Sequence, residues 1–64
     1  MLKAGDIITI VTKDNIEYKD VELLLDYYND FDGYCDAELY IKTGIHDSEF
    51  KRIKTNNLKM ISFL

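Results

Sequence analysis

The sequence predicts an all-β domain of five strands, and three observations support this prediction. β-branched and aromatic residues recur in short runs, polar clusters separate these runs at intervals of about 8–12 residues, and the chain contains no proline. No linker, low-complexity tract or internal repeat interrupts the pattern. A single small β-sandwich or β-barrel over residues 1–64 is therefore expected.

The five predicted strands are short, apart from the second. They span residues 6–12, 16–28, 34–42, 50–54 and 58–64. Asp-Gly within residues 29–33 is a strong hairpin signal, and residues 43–49 read as a loop. Residues 55–57 are expected to form a tight turn or a single helical turn before the last strand.

The second strand changes phase in its middle, which predicts a bend. Its first apolar residues, Ile16 and Tyr18, are even-numbered, whereas the later ones are odd-numbered: Val21, Leu23, Leu25 and Tyr27. Side chains alternate between the two faces of a strand, so one residue near Lys19 and Asp20 must be absorbed by a β-bulge. Leu24 falls on the opposite face from these odd-numbered residues, so a neighbouring segment is expected to cover it.

This layout resembles the small Src-homology-3-like barrels and, among them, the Sm-like group that includes a bacterial RNA chaperone. The segments that carry the resemblance are residues 6–11, residues 16–21 and residues 52–61. The resemblance implies a small five-stranded open barrel with a strongly bent second strand. Asp20 occupies the bend where that family typically has glycine. The pair of residues that contacts RNA in that family has no counterpart at residues 54–56. RNA binding is therefore ranked below protein binding as a predicted function.

Size and cysteine content indicate an intracellular protein that self-associates. A chain of 64 residues has a thin core, since small domains bury only about 60% of their unfolded surface. The lone Cys35 cannot form an internal disulfide, which favours the cytoplasm. Neither a signal sequence nor an apolar run of membrane-spanning length is present in residues 1–64, so no membrane association is expected. A small domain without disulfide bonds often buries additional apolar surface by forming a homo-oligomer.

Catalysis is not expected, because the residues that build acid–base or nucleophilic sites are scarce. His46 lies in a predicted polar loop, and Cys35 lies on the apolar face of the third strand. Residues 30–38 faintly resemble a calcium loop, but Tyr28 and Leu39 fall where the first and last carboxylate ligands belong. We therefore predict no catalytic residues, no metal site and no cofactor.

The charge is uneven, and the acidic part is rich in tyrosine. Residues 14–38 contain nine acids and one lysine, within a chain whose net charge is −4. Tyrosine is an efficient interface anchor, and acids steer basic partners. The predicted partner-binding face consists of Asp26, Tyr27, Tyr28, Asp30, Asp32, Tyr34, Asp36, Glu38 and Tyr40. The alternative is that two or three of these rings cap the thin core.

The leading hypothesis is a protein-interaction module that docks this acidic face on a basic surface of another protein. Such a module would suit a phage-type inhibitor of a nucleic-acid-binding or defence protein. One alternative is an Sm-like ring that binds RNA or a nucleotide between subunits through Tyr40, Lys54, Asn56 and Asn57. Another is a structural subunit that only self-assembles.

Overall fold

A computed structural model describes residues 2–28, 37–46 and 48–63, and it confirms an all-β chain with five strands. The strands are β1 (Ile7–Thr12), β2 (Glu17–Glu22), β3 (Glu38–Lys42), β4 (Phe50–Lys54) and β5 (Leu58–Phe63). A single 3-10 turn, Thr55–Asn57, joins β4 to β5 as the sequence predicted.

The strands form two sheets, one ordered β2-β1-β5 and the other β3-β4. All of the strand pairs are antiparallel. A bridge between Leu23 and Ile41 connects the sheets, and the Leu24 N–H donates to the Tyr40 carbonyl at 2.8 Å. The strands in the described ranges do not close into a barrel, because β4 and β5 are not paired with each other.

The predicted bulge in β2 is present at the predicted place. Ile8 pairs with Val21 and Ile10 pairs with Tyr18, so two residues of β2 lie opposite Thr9. Asp20 absorbs the extra residue with a positive φ of 52°, a left-handed conformation that Asp tolerates better than most side chains. The Asp20 N–H donates to the Thr9 hydroxyl oxygen at 3.0 Å, which ties the bulge to β1.

Strand two is shorter than the predicted span of residues 16–28. Regular pairing ends at Glu22 because the backbone then changes partners: Leu23 bonds to Asp6, and Tyr27 forms an isolated bridge with Leu2. Leu25 was predicted to face the core with Val21, Leu23 and Tyr27, and this prediction is wrong because Leu25 is exposed. Ile16, predicted to face inward with Tyr18, is also exposed.

The core lies between the two sheets and is made mainly of aliphatic side chains. Its buried members are Leu2, Ile8, Ile10, Leu23, Tyr27, Leu39, Ile41 and Ile53. Two buried threonines satisfy their hydroxyl groups: Thr12 contacts the Asp14 carboxylate, and Thr55 donates to the Ala37 carbonyl at 3.1 Å. Within the described ranges, no helix has the length and apolar character needed to cross a membrane.

Candidate binding surface

The side of the β3-β4 sheet that faces away from the core carries aromatic and charged side chains. Leu39, Ile41 and Ile53 face the core, so the alternate residues face outward. These outward residues form cross-strand pairs, and we call the set the β3-β4 outer face: Glu38 with Lys54, Tyr40 with Arg52, and Lys42 with Phe50. Such neighbours are close enough to interact.

An apolar groove of 340 Å³ lies on this face, lined by Leu24, Leu25, Tyr40 and Phe50. The rings of Tyr40 and Phe50 are 5.8 Å apart between centroids and tilted by 38°. Leu25 is 56% exposed and Phe50 is 47% exposed, although both are large and apolar. The bond from Leu24 to the Tyr40 carbonyl holds the leucine pair against β3. The groove is thus an apolar surface open to solvent.

Asp26 follows the leucine pair and is held in a hydrogen-bonded arrangement with Tyr28. The Ala4 N–H donates to one carboxylate oxygen at 2.7 Å, and the Tyr28 hydroxyl donates to the other at 2.9 Å. The Ala4 bond, then the Tyr28 bond and the charge of Lys3, lower the pKa of Asp26 below its ordinary value. The same carboxylate raises the pKa of Tyr28. These two hydrogen bonds therefore favour the ionised form of the Asp26 carboxyl group.

Replacing Tyr28 with phenylalanine should raise the pKa of Asp26 partway toward its ordinary value, because one donor is lost while the stronger Ala4 bond remains. Carbon-13 NMR of the Asp26 carboxyl group as a function of pH measures this. Since the folded-state pKa is lowered, the carboxylate stabilises the fold above its unfolded pKa, and this contribution disappears as the pH falls through the folded value. Tyr40→Phe is the control, and an unchanged Asp26 midpoint in Tyr28→Phe would contradict the assigned bond.

The residues of the predicted acidic, tyrosine-rich face do not lie together on one surface among the described residues. Tyr27 is only 4% exposed, because its backbone pairs with Leu2 and its ring enters the core, so it does not lie on the surface with Asp26 and Tyr28. Asp26 and Tyr28 are exposed, as predicted. Glu38 and Tyr40 lie on the β3-β4 outer face among cations. The remaining predicted members lie outside the described residues: Asp30, Asp32, Tyr34 and Asp36.

The alternative nucleotide-binding residues are only partly brought together. Tyr40 and Lys54 share the β3-β4 outer face, and Lys54 also borders a cleft that contains Asn57. Asn56 lies in a different cleft, beside Lys13 and Lys59. The four residues therefore do not line one common cleft.

The cleft that contains Asn57 runs along β4 and also holds Lys51, Arg52 and Lys54. The Lys51 ammonium lies 5.6 Å from the centroid of the Tyr18 ring. A hydrogen bond to Tyr18 and, to a smaller extent, the charge of Asp14 raise the pKa of Lys51. The Lys51 ammonium therefore already interacts with neighbours in the same chain, which makes it less available to bind the phosphate of a ligand.

Sequence patterns did not identify the groove residues Leu24, Leu25 and Phe50 as a binding site. A signal was present, since the adjacent leucines cannot both face the core of a regular strand. His46 is exposed, as predicted, and its carbonyl accepts the Glu49 N–H at 2.9 Å. Cys35 lies outside the described residues, as does most of the segment weighed as a calcium loop. In the part of the chain that the structure describes, no cluster of three or more His, Cys, Asp or Glu side chains could hold a metal ion.

No known protein family, curated protein or solved structure matches this chain.

Proposed function

We propose that the chain is a non-catalytic protein-binding module whose contact surface is centred on the apolar groove. The observation that carries this proposal is the exposure of Leu25 and Phe50 beside Tyr40 and Leu24. Small soluble domains rarely leave clustered large apolar side chains in water unless the cluster binds something. An aromatic ring flanked by aliphatic side chains is typical of the centre of a protein interface.

A partner with a basic surface fits the charge of the module. The chain has a net charge of −4, and Asp26, next to Leu25, stays ionised through its bonds to Ala4 and Tyr28. Leu24 and Arg52 lie on opposite sides of Tyr40, so the cations of β4 flank the groove from the other strand. Acids would steer the approach of a basic partner, while the groove supplies the apolar contact.

One biological setting that suits this arrangement is inhibition, for instance by a phage-encoded protein that covers a basic nucleic-acid-binding or defence protein. The lone Cys35 favours a reducing compartment, so we place the module in the cytoplasm.

Peptides selected from a random display library against the immobilised chain should combine apolar residues with Lys or Arg. In NMR titrations they should shift the resonances of Leu24, Leu25, Tyr40 and Phe50. Leu25→Ser and Phe50→Ser should each weaken peptide binding about ten-fold or more, because each removes a large apolar contact. Ile45→Ser, at an exposed loop position outside the groove, is the matched control. Selected peptides that are acidic, or that bind away from the groove, would rule the proposal out.

The two sheets are also consistent with an open barrel of the Src-homology-3-like or Sm-like kind, and we propose that architecture. Three features support it: the β2 bulge at Asp20, the link from Leu23 to β3, and the 3-10 turn between β4 and β5. They resemble the bent second strand and the closing strand, turn and strand expected of that family.

A second candidate function, binding of single-stranded RNA or a nucleotide by an oligomer, is favoured by one observation. Tyr40 and Phe50 share the β3-β4 outer face with Lys42, Arg52 and Lys54, and aromatic rings among cations can stack bases while contacting phosphates. Labelled single-stranded oligonucleotide distinguishes the candidates. Salt-sensitive binding that Tyr40→Ala abolishes would favour RNA, and the absence of binding at physiological salt would leave the protein-binding module.

A further inference from the structure

The edge of β4 that faces away from β3 is regular, and no strand lies beside it in the described ranges. β4 pairs only with β3 there, and its register runs from Phe50 to Lys54 without a bulge. The Thr43 N–H donates to the Glu49 carbonyl at 2.8 Å, so the odd-numbered residues of this stretch bond to β3. Backbone groups alternate in direction along a strand. The N–H and C=O groups of Phe50 and Arg52 therefore point toward the open edge.

The cleft that contains Asn57 lies along this edge. It has a volume of 390 Å³, and its lining includes four consecutive residues of β4, residues 51–54. Side chains alternate between the two faces of a strand, so a cleft that contacts four residues in a row follows the edge of the strand rather than one face. The opposite wall comes from the β1-β2 hairpin and consists of Thr12, Asp14, Ile16 and Tyr18. The cleft is thus open space beside the edge of β4 that is opposite β3.

The cleft is locally basic although the whole chain is acidic. Its lining contains three cations and one acid: Lys51, Arg52, Lys54 and Asp14. Lys51 lies over the Tyr18 ring. Lys54 lies opposite Glu38 in β3. Arg52 lies opposite Tyr40 and is exposed, so it is the cation that we assign to a carboxylate of a ligand.

The charges of β4 restrict which strand can occupy this edge. Positive charges on an edge strand hinder pairing with neutral or basic strands, and they attract a strand that carries acids. We propose that an extended acidic segment of another protein adds to β4 as a further strand of the β3-β4 sheet. Backbone hydrogen bonds to Phe50 and Arg52 would supply affinity, and the Arg52 guanidinium would select a carboxylate. Leu24 and this edge lie on opposite sides of β3, so the segment would bind independently of any ligand in the apolar groove.

The surroundings of the edge define the sequence pattern of the ligand. Every second residue of the added strand would face the inner side, where Ile16 is 46% exposed beside Tyr18. An apolar side chain at these positions would cover Ile16. The residues between them would lie on the outer side beside Arg52, where Asp or Glu forms a pair of opposite charges. A segment that alternates acidic and apolar residues is therefore expected, rather than a nucleic acid, whose backbone has no N–H donors for the carbonyls of the edge.

A labelled peptide that alternates Glu and Val tests the proposal on the unaltered protein. Fluorescence anisotropy should show binding that weakens with salt, and the same peptide with Lys in place of Glu should not bind. A strand bonds to one neighbour through alternate residues. Two peptides of equal composition, N-methylated at either the Glu or the Val amides, should therefore differ. Methylation of the set that donates to β4 should abolish binding, whereas methylation of the other set should retain it, and the direction of the added strand decides which set is which.

NMR titration and three variants locate the site of the Glu-Val peptide. The resonances of Arg52 and Ile16 should shift, and the Arg52 amide should become protected from hydrogen exchange when the peptide is added. Arg52→Glu should weaken binding about ten-fold or more, because a charge-assisted contact becomes a repulsion. Lys3→Glu makes the same change in net charge outside the cleft and is the matched control. Leu25→Ser should leave the affinity unchanged, which separates this edge from the apolar groove.

Several outcomes would overturn the proposed strand addition. They are an absence of binding at millimolar peptide, equal binding of the Lys and Glu peptides, equal behaviour of the two N-methylated peptides, and displacement of the peptide by a single-stranded oligonucleotide. Protection of the Arg52 amide in the free protein that disappears on dilution would have the same meaning, because a second copy of the chain would then occupy the edge.

Discussion

Leu23→Ala should lower the free energy of unfolding by about 3 kcal/mol, since buried Leu-to-Ala changes cost about 2–5 kcal/mol when a cavity remains. Leu23 is fully buried, and its bridge to Ile41 joins the two sheets. A domain of this size has a total stability of only about 3–10 kcal/mol at roughly 0.05–0.15 kcal/mol per residue. Urea unfolding followed by circular dichroism measures the change, and the variant is expected to be partly unfolded at moderate temperature.

Leu25→Ala is the matched control for this experiment, because it makes the same chemical change two residues further along. Leu25 is exposed at the groove, so its loss should change the free energy of unfolding by less than about 0.5 kcal/mol. Regular alternation would bury both leucines and predict equal effects. Similar losses for the two variants would therefore contradict the change of backbone partners after Glu22.

Asp20→Val should destabilise the fold by about 2 kcal/mol relative to Asp20→Gly. The positive φ of Asp20 costs a β-branched residue about 1–2 kcal/mol in the left-handed region, whereas glycine adopts it freely. Both variants remove the carboxylate that accepts the Thr9 hydroxyl at 3.4 Å, so the loss of this bond does not contribute to the difference between them. The midpoints of urea unfolding of the two variants measure the difference.

Lys19→Val separates backbone strain from a general effect of valine at the bulge. Lys19 is exposed and is not among the residues with positive φ, so valine there should change stability by less than about 0.5 kcal/mol. If valine is equally harmful at both positions, or if Asp20→Gly is as unstable as Asp20→Val, the left-handed conformation of Asp20 is not what the site requires.

The parts of the fold that the sequence predicted depend on local alternation. Ile8 and Ile10 repeat with period two and lie in the core, and the change of phase after Tyr18 located the bulge. A strand must keep its apolar side chains on one face, so a shift by one residue leaves a visible trace in the sequence. The strand count and the turn at residues 55–57 followed from equally local signals.

The parts that the sequence did not predict depend on contacts between distant segments. After Glu22 the backbone bonds in turn to Asp6 and then to Tyr40, and no local pattern records such an exchange. Tyr27 is buried because Leu2 pairs with it. The surroundings of Tyr40 follow from the β3-β4 register, which places Arg52 beside a ring that sequence proximity had grouped with acids.

The pairing of β1 with β5 affects how the protein folds during its synthesis. β1 is the central strand of its sheet, yet one of its neighbours, β5, is synthesised after the other four strands of the fold. The β1-β2 hairpin can form early, but one side of β1 stays open to water until β5 has been synthesised. Long-range strand pairing of this kind slows folding, and the waiting hairpin is a surface that chaperones would be expected to shield.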